Sequence, residues 1–265
     1  MINDISEEQA IDLIAGDYGE ESLKQIANYA APIFWVAVDD KENLHFENGS
    51  MFFVNAGEGI FAVTASHVFE GYLNDKDKYR NIKCAVAPNC FDPSGKETIL
   101  FDLEERVIAN DTESDIATFS LNDAEMESIG TFVIRAWPPV IPQIDLGIGL
   151  AGFPGHERII QSRREISFAP FPILGIAKSV NDRLISVQIE EDFVVDTPGF
   201  KTAAQGYSTP GMSGGPLLTH IDSNGIHLWA LGGVITDGWD EGGLIMASRA
   251  DRINADGTIQ QSSLP

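Results

Sequence analysis

The chain has 265 residues, 43% of them hydrophobic, with 15 Phe and 2 Cys. That length suits one large domain or two small packed ones, the apolar content argues against disorder, and two cysteines rule out a disulfide-dense scaffold. Seventeen Lys and Arg stand against 40 Asp and Glu, a formal net charge of −23. This charge disfavours nucleic acid and anionic membrane as partners and favours cationic ones, over a background of simple solubility.

Residues 1–30 read as an acidic helical extension. Ser6 to Gln9 has the form of a capping box, and Ile11, Leu13, Ile14, Leu23, Ile26 and Ala27 follow at helical spacing. Gly16 and Gly19 are expected to break it into two short helices. Lys24 is its one basic residue, and the first ten residues have neither the positive start nor the apolar middle of a signal peptide. The expected location is therefore cytoplasmic, and no stretch is apolar enough for a spanning helix.

From Pro32 onward the texture is β. Strands are expected at Ile33–Val38, Met51–Val54, Ile60–Thr64, Ile82–Ala87, Thr98–Leu103, Ile116–Leu121, Leu146–Gly152, Ile173–Val180, Leu184–Ile189, Leu217–His220, His227–Ile235 and Leu244–Ala247. Asn224-Gly225 signals a hairpin turn. Short strands at this spacing give an all-β barrel or sandwich. Trp137 to Pro142, with three prolines, is unfit for a central strand and is the expected linker between two β halves.

Three motifs carry chemistry. Val63-Thr64-Ala65-Ser66-His67-Val68 ends a strand. Ser114-Asp115-Ile116-Ala117 opens one. Gly211-Met212-Ser213-Gly214-Gly215-Pro216 is a Gly-rich turn running into another. A serine hydroxyl is a poor nucleophile until a base takes its proton, a neutral histidine does this, and a buried aspartate fixes its tautomer. A tight Gly-rich turn offers backbone N–H groups to a developing oxyanion.

Through these motifs, in the order His, Asp, Ser, the chain resembles the trypsin-like (chymotrypsin-fold) serine proteases, of the bacterial type related to the HtrA proteases but with no PDZ domain following. The resemblance spans about residues 30–250. Gly49 to Val54 looks like the strand before the histidine, and Gly152-Phe153-Pro154-Gly155 like the start of a second barrel. It implies two six-stranded antiparallel β-barrels, with residues 31–136 as the first and 137–265 as the second plus a C-terminal tail. It implies His67 as general base, Asp115 as its orienter and Ser213 as nucleophile. The N–H groups of Gly211 and Ser213 would form the oxyanion hole. Tyr207, Ser208, Thr236, Asp237 and Gly238 would contact substrate, with Gly242 and Gly243 near the far wall. No metal or organic cofactor is implied, and the substrate would be a polypeptide.

The departures matter. Met212 stands where digestive trypsins carry the Asp that pairs with a new N-terminus. Ser66 replaces an Ala, and Val68 a disulfide Cys. Tyr207 replaces the Asp that selects Lys or Arg, while Asp237 offers another charge for a cation. Three functions stay open: a constitutive serine endopeptidase, a latent one awaiting an activating partner, and an inactive protease-fold binding or scaffold protein. Gly147 to Gly152 fits G-x-G-x-x-G, but Pro154 and Gly155 follow where a dinucleotide site needs a helix.

Overall fold

A computed structural model of the chain describes residues 6–39, 41–88, 91, 96–162, 165–189, 195–201, 209–223, 226–237 and 243–260. Two helices come first, α1 (Glu7–Ala15) and α2 (Asp17–Ala27). The expected capping box closes on itself: the Ser6 hydroxyl accepts from the Gln9 N–H and the Gln9 side chain accepts from the Ser6 N–H. Gly16 separates the helices, but Gly19 lies inside α2 and breaks nothing. A Cβ on Gly19 would sit 1.8 Å from the Ile14 carbonyl oxygen, so this glycine lets the two helices touch.

The chain then runs β1 (Ala30–Val38), β2 (Leu44–Asn55), β3 (Ile60–Thr64), α3 (Ser66–Lys78), β4 (Arg80–Val86), β5 (Ile99–Leu100), α4 (Leu103–Arg106), β6 (Val107–Asp111), β7 (Ile116–Ser120), α5 (Asp123–Ile129) and β8 (Val133–Ile134). It continues through β9 (Gly147–Gly152), β10 (Ile159–Ser162), β11 (Glu165–Ser167), β12 (Phe171–Val180), β13 (Leu184–Gln188), β14 (Pro216–Ser223), β15 (Ile226–Asp237) and β16 (Leu244–Arg249). No helix among the described residues is long and apolar enough to cross a membrane.

The architecture is mostly β, with one closed barrel where two were expected. Strands β12-β13-β16-β15-β14-β9 close on each other. The first half forms an eight-stranded sheet in the order β5-β4-β1-β2-β3-β7-β6, with β8 parallel to β2. Among the described residues its ends do not pair with each other. β5 is two residues long, and the chain leaves it for α4, where the Asp102 carboxylate caps the helix and Leu103 is fully buried. The expected strand Thr98–Leu103 is therefore mostly replaced, and α3 and α5 add helix to a body read as all-β. β14 and β15 pair as a hairpin up to Ser223 and Ile226, although Asn224-Gly225 lies outside the described residues. Trp137 to Pro142 is free of strand, and Gly147–Gly152 is β9 rather than a phosphate loop.

The core explains why apolar residues stand side by side at Met51–Val54 of β2 and at Leu217 and Leu218 of β14. Met51 and Phe53 point into the cluster under the large sheet, while Phe52 and Val54 point into a cluster shared with the barrel. Leu217 faces the barrel interior and Leu218 the shared cluster. Both faces of these strands are buried, so alternation cannot show. Ile26 of α2 joins the shared cluster against Gly149 of β9, where a Cβ would come 2.6 Å from its Cδ1. At the other end, the Thr118 hydroxyl of β7 donates to the Gly257 carbonyl at 2.6 Å, and Ile253 is buried in the shared cluster. The C-terminal segment thus straps the barrel to the sheet.

Gly19→Ala forces α1 away from α2, because backbone cannot yield as a flexible side chain would. The expected result is faster amide hydrogen exchange throughout α1. Unchanged exchange would contradict the close packing.

Candidate active site

The apolar strand β3 ends at Thr64, and the next residue, Ala65, is the N-cap of α3 and has no side chain to satisfy the first-turn N–H groups. Asp115 supplies what Ala65 lacks. Its Oδ1 accepts from the His67 backbone N–H at 2.8 Å, and its Oδ2 lies 2.8 Å from His67 Nδ1. One carboxylate therefore caps the helix and orients the imidazole. With Nδ1–H donating to Asp115, neutral His67 keeps Nε2 as an acceptor.

Asp115 sits at φ +53°, a left-handed conformation that Asp tolerates better than most residues. The turn before it is pinned by Asp111, whose carboxylate accepts from the N–H groups of Glu113 and Ser114 and from the Ser114 hydroxyl. The hydrogen bond His67 donates to Asp115 raises its pKa above the ordinary 6.5; partial burial opposes this, and the charges of Asp115 and Asp237 add to it.

Ser213 stands in the turn from Thr209 to Gly215. Gly211 at φ +102° and Gly214 at φ +88° both take backbone conformations that L side chains rarely adopt. The Met212 N–H donates to Thr209, Gly214 to Ile235 and Gly215 to Met212. Among the described residues, the N–H groups of Gly211 and Ser213 donate to no partner. Buried Ser50 of β2 ties the turn to the large sheet. Its N–H donates to the Ser213 carbonyl at 2.9 Å, and its hydroxyl donates to the Gly211 carbonyl at 2.7 Å. The same hydroxyl accepts from the Phe153 N–H at 2.8 Å.

His67 and Ser213 line one open cavity of about 600 Å³, together with Gly211, Thr209, Thr236 and Asp237. Ser213 Oγ makes no hydrogen bond to His67; its one contact among the described residues is a long 3.5 Å donation to the Thr236 carbonyl. Thr236 and Asp237 fall where the resemblance places substrate. Tyr207, Ser208, Gly238 and Gly242 lie outside the described residues, and Gly243 binds the Ile189 N–H away from the cavity lining. Met212 is fully buried in the barrel core, so an apolar contact occupies the position where an ion pair would need an Asp. Cys84 is a buried free thiol whose pKa burial pushes up; Cys90 lies outside the described residues. No group of metal-ligating side chains occurs among the described residues.

Sequence reasoning missed the anchoring role of Ser50 and the wall made by Trp35, Glu47, Asn74 and Asp75. The one signal for Ser50 was a hydroxyl heading an otherwise apolar run, Met51 to Val54.

No protein-family model matches the chain, and no curated protein matches it. Solved structures similar to it include the two that follow. The crystal structure of Deg5 is 14% identical, with a TM-score of 0.49, covering 93% of this chain and 92% of that one. The atomic-resolution structure of HBP is 12% identical, with a TM-score of 0.46, covering 86% and 88%. Likeness at this level carries no weight for the chemistry, which rests on the geometry above.

Titration of the His67 ring by NMR is expected to give a pKa above 6.5, falling in Asp115→Asn as the largest raising interaction is lost. An unchanged value in the variant would contradict the pairing.

Proposed function

We propose that the chain is a serine endopeptidase of chymotrypsin-like architecture, with residues 31–136 and 137–265 as its two halves. His67 is the general base, Asp115 its orienter and Ser213 the nucleophile that forms an acyl-enzyme. The observation that carries this reading is the doubly hydrogen-bonded His67–Asp115 pair facing the same cavity as Ser213. The uncommitted N–H groups of Gly211 and Ser213 support an oxyanion hole, since donors already in place need no reorganisation as charge develops.

Neutral His67 takes the Ser213 proton through Nε2 as Oγ attacks the carbonyl carbon. The imidazolium then returns the proton to the departing amine, and water repeats the sequence on the acyl-enzyme. Tyr207, Ser208, Thr236, Asp237 and Gly238 are the proposed contacts for the acyl side of a polypeptide substrate. Resting catalytic hydrogen bonds are commonly loose and tighten with substrate, which accommodates the missing Ser213–His67 bond.

That missing bond also favours a second reading, a latent enzyme or an inactive protease-fold binding protein. Latency has a structural handle: the Thr197 hydroxyl donates to the Ile14 carbonyl, so the N-terminal helices touch the chain leading towards the Ser213 turn.

Labelling of the purified protein with a fluorophosphonate probe separates these readings. A constitutive enzyme labels, and Ser213→Ala does not. Asp115→Asn lowers kcat/KM by about 10⁴-fold. Because the active base is neutral and its pKa is raised, activity falls as pH drops through a midpoint above 6.5. A folded wild type that fails to label contradicts constitutive activity.

A further inference from the structure

The cavity has two walls of different origin. Thr209, Pro210, Gly211, Thr236 and Asp237 come with Ser213, while Trp35, Glu47, Val68, Gly71, Asn74 and Asp75 come from β1, β2 and α3, which frame His67. The acyl group stays on Ser213 and the leaving amine takes its proton from His67. The chain on the leaving-group side of the scissile bond therefore passes along the His67 wall.

That wall is acidic, and among the described residues no Lys or Arg lines the cavity. Asp75 is fixed by a 2.9 Å hydrogen bond from Trp35 Nε1. Glu47 lies three residues before the Ser50 anchor, and among the described residues its carboxylate accepts no hydrogen bond. The nearby cations are already engaged. Arg158, towards which Glu47 exerts its charge, donates to Asn48 Oδ1 at 2.7 Å and stacks over Phe46. Lys78, which feels Asp75, is exposed and lies over the Tyr79 ring.

Across the cavity, Asp237 adds a third carboxylate and already acts on His67. Thr209, which lines the same cavity, is 1% exposed, and among the described residues its hydroxyl has no hydrogen-bond partner.

We infer that this site selects polypeptides with a cationic side chain immediately on the leaving-group side of the cleaved bond, read by Glu47 and Asp75. The inference rests on the acyl-enzyme chemistry proposed above and adds the substrate class.

Aminolysis of the acyl-enzyme reads that side directly, because an entering amine occupies the place from which the leaving amine departs. The amine nitrogen bonds to the acyl carbon, the bond to Ser213 Oγ breaks, and the amine proton passes through His67 to Oγ. With p-nitrophenyl acetate as acyl donor, argininamide should capture the acetyl group about fivefold or more faster than alaninamide, as one exposed and one half-buried carboxylate allow. Glutamic acid amide should be slower than either.

The preference should fall towards unity in Glu47→Gln/Asp75→Asn and reverse in Glu47→Lys. It should persist in Glu8→Gln/Asp12→Asn, which removes the same charge from the exposed face of α1. An acyl-enzyme with no preference among the amides overturns the inference alone. So does a preference that survives loss of both carboxylates, since net charge then explains it. A folded protein that forms no acyl-enzyme at Ser213, with Ser213→Ala as control, overturns the underlying function and this inference with it.

Discussion

Ser50 has no exposed surface, and its backbone and hydroxyl groups hold the Ser213 turn against β2. Its N–H and hydroxyl reach the Ser213 and Gly211 carbonyls, its hydroxyl takes the Phe153 N–H, and its own carbonyl accepts from the Thr64 hydroxyl at 2.6 Å. A partner lost from any of these leaves a buried polar group unsatisfied, at a cost of about 1–3 kcal/mol each. This one residue joins β2, β3, the start of the barrel and the nucleophile turn. Gly214 has no Cβ for the same reason: a Cβ there would fall 2.0 Å from Thr64 Oγ1 and 2.2 Å from the Ser50 carbonyl. The separation between the Ser213 and His67 sides of the cavity is thus set by a buried hydrogen-bond cluster rather than by either loop alone.

On the opposite side, a defect in local structure is turned into function. The N-cap of α3 is Ala65, a residue without a capping side chain, directly after a fully buried strand end. Asp115 caps it from another turn and, with its second oxygen, fixes the His67 ring. The helix start therefore determines where the imidazole stands, and the left-handed backbone of Asp115 is held because Asp111 and β7 fix both sides of it. The resulting rise in the His67 pKa suits the general-base role proposed for it.

The three motifs that suggest a catalytic site were legible because each is short and contiguous. The capping box at Ser6 and the strands bearing Ile116 and Leu217 were legible for the same reason, since periodicity and turn chemistry are local. The rest depends on partners far along the chain. Whether the first sheet closes turns on two-residue β5 and on α4, which no period reveals. Gly19 carries the same breaker signal as Gly16, and only the approach of Ile14 distinguishes a packing glycine from a terminating one. α3 was hidden because its N-cap, Ala65, cannot cap, and the capping carboxylate comes from Asp115, 48 positions after His67. Ser50 looked like an ordinary strand residue, because its partners near 153 and 211 lie more than 100 positions away.

The account stands or falls on Ser213 becoming acylated by way of His67. Rapid mixing with a p-nitrophenyl ester tests this most directly, read as the burst of p-nitrophenol and the intact mass of the quenched protein. The predicted result is a burst of about one equivalent per chain, an added acyl mass mapping to Ser213, and a burst rate that rises with pH through a midpoint above 6.5. A folded protein with no burst and no added mass, or with the acyl group elsewhere, would contradict it.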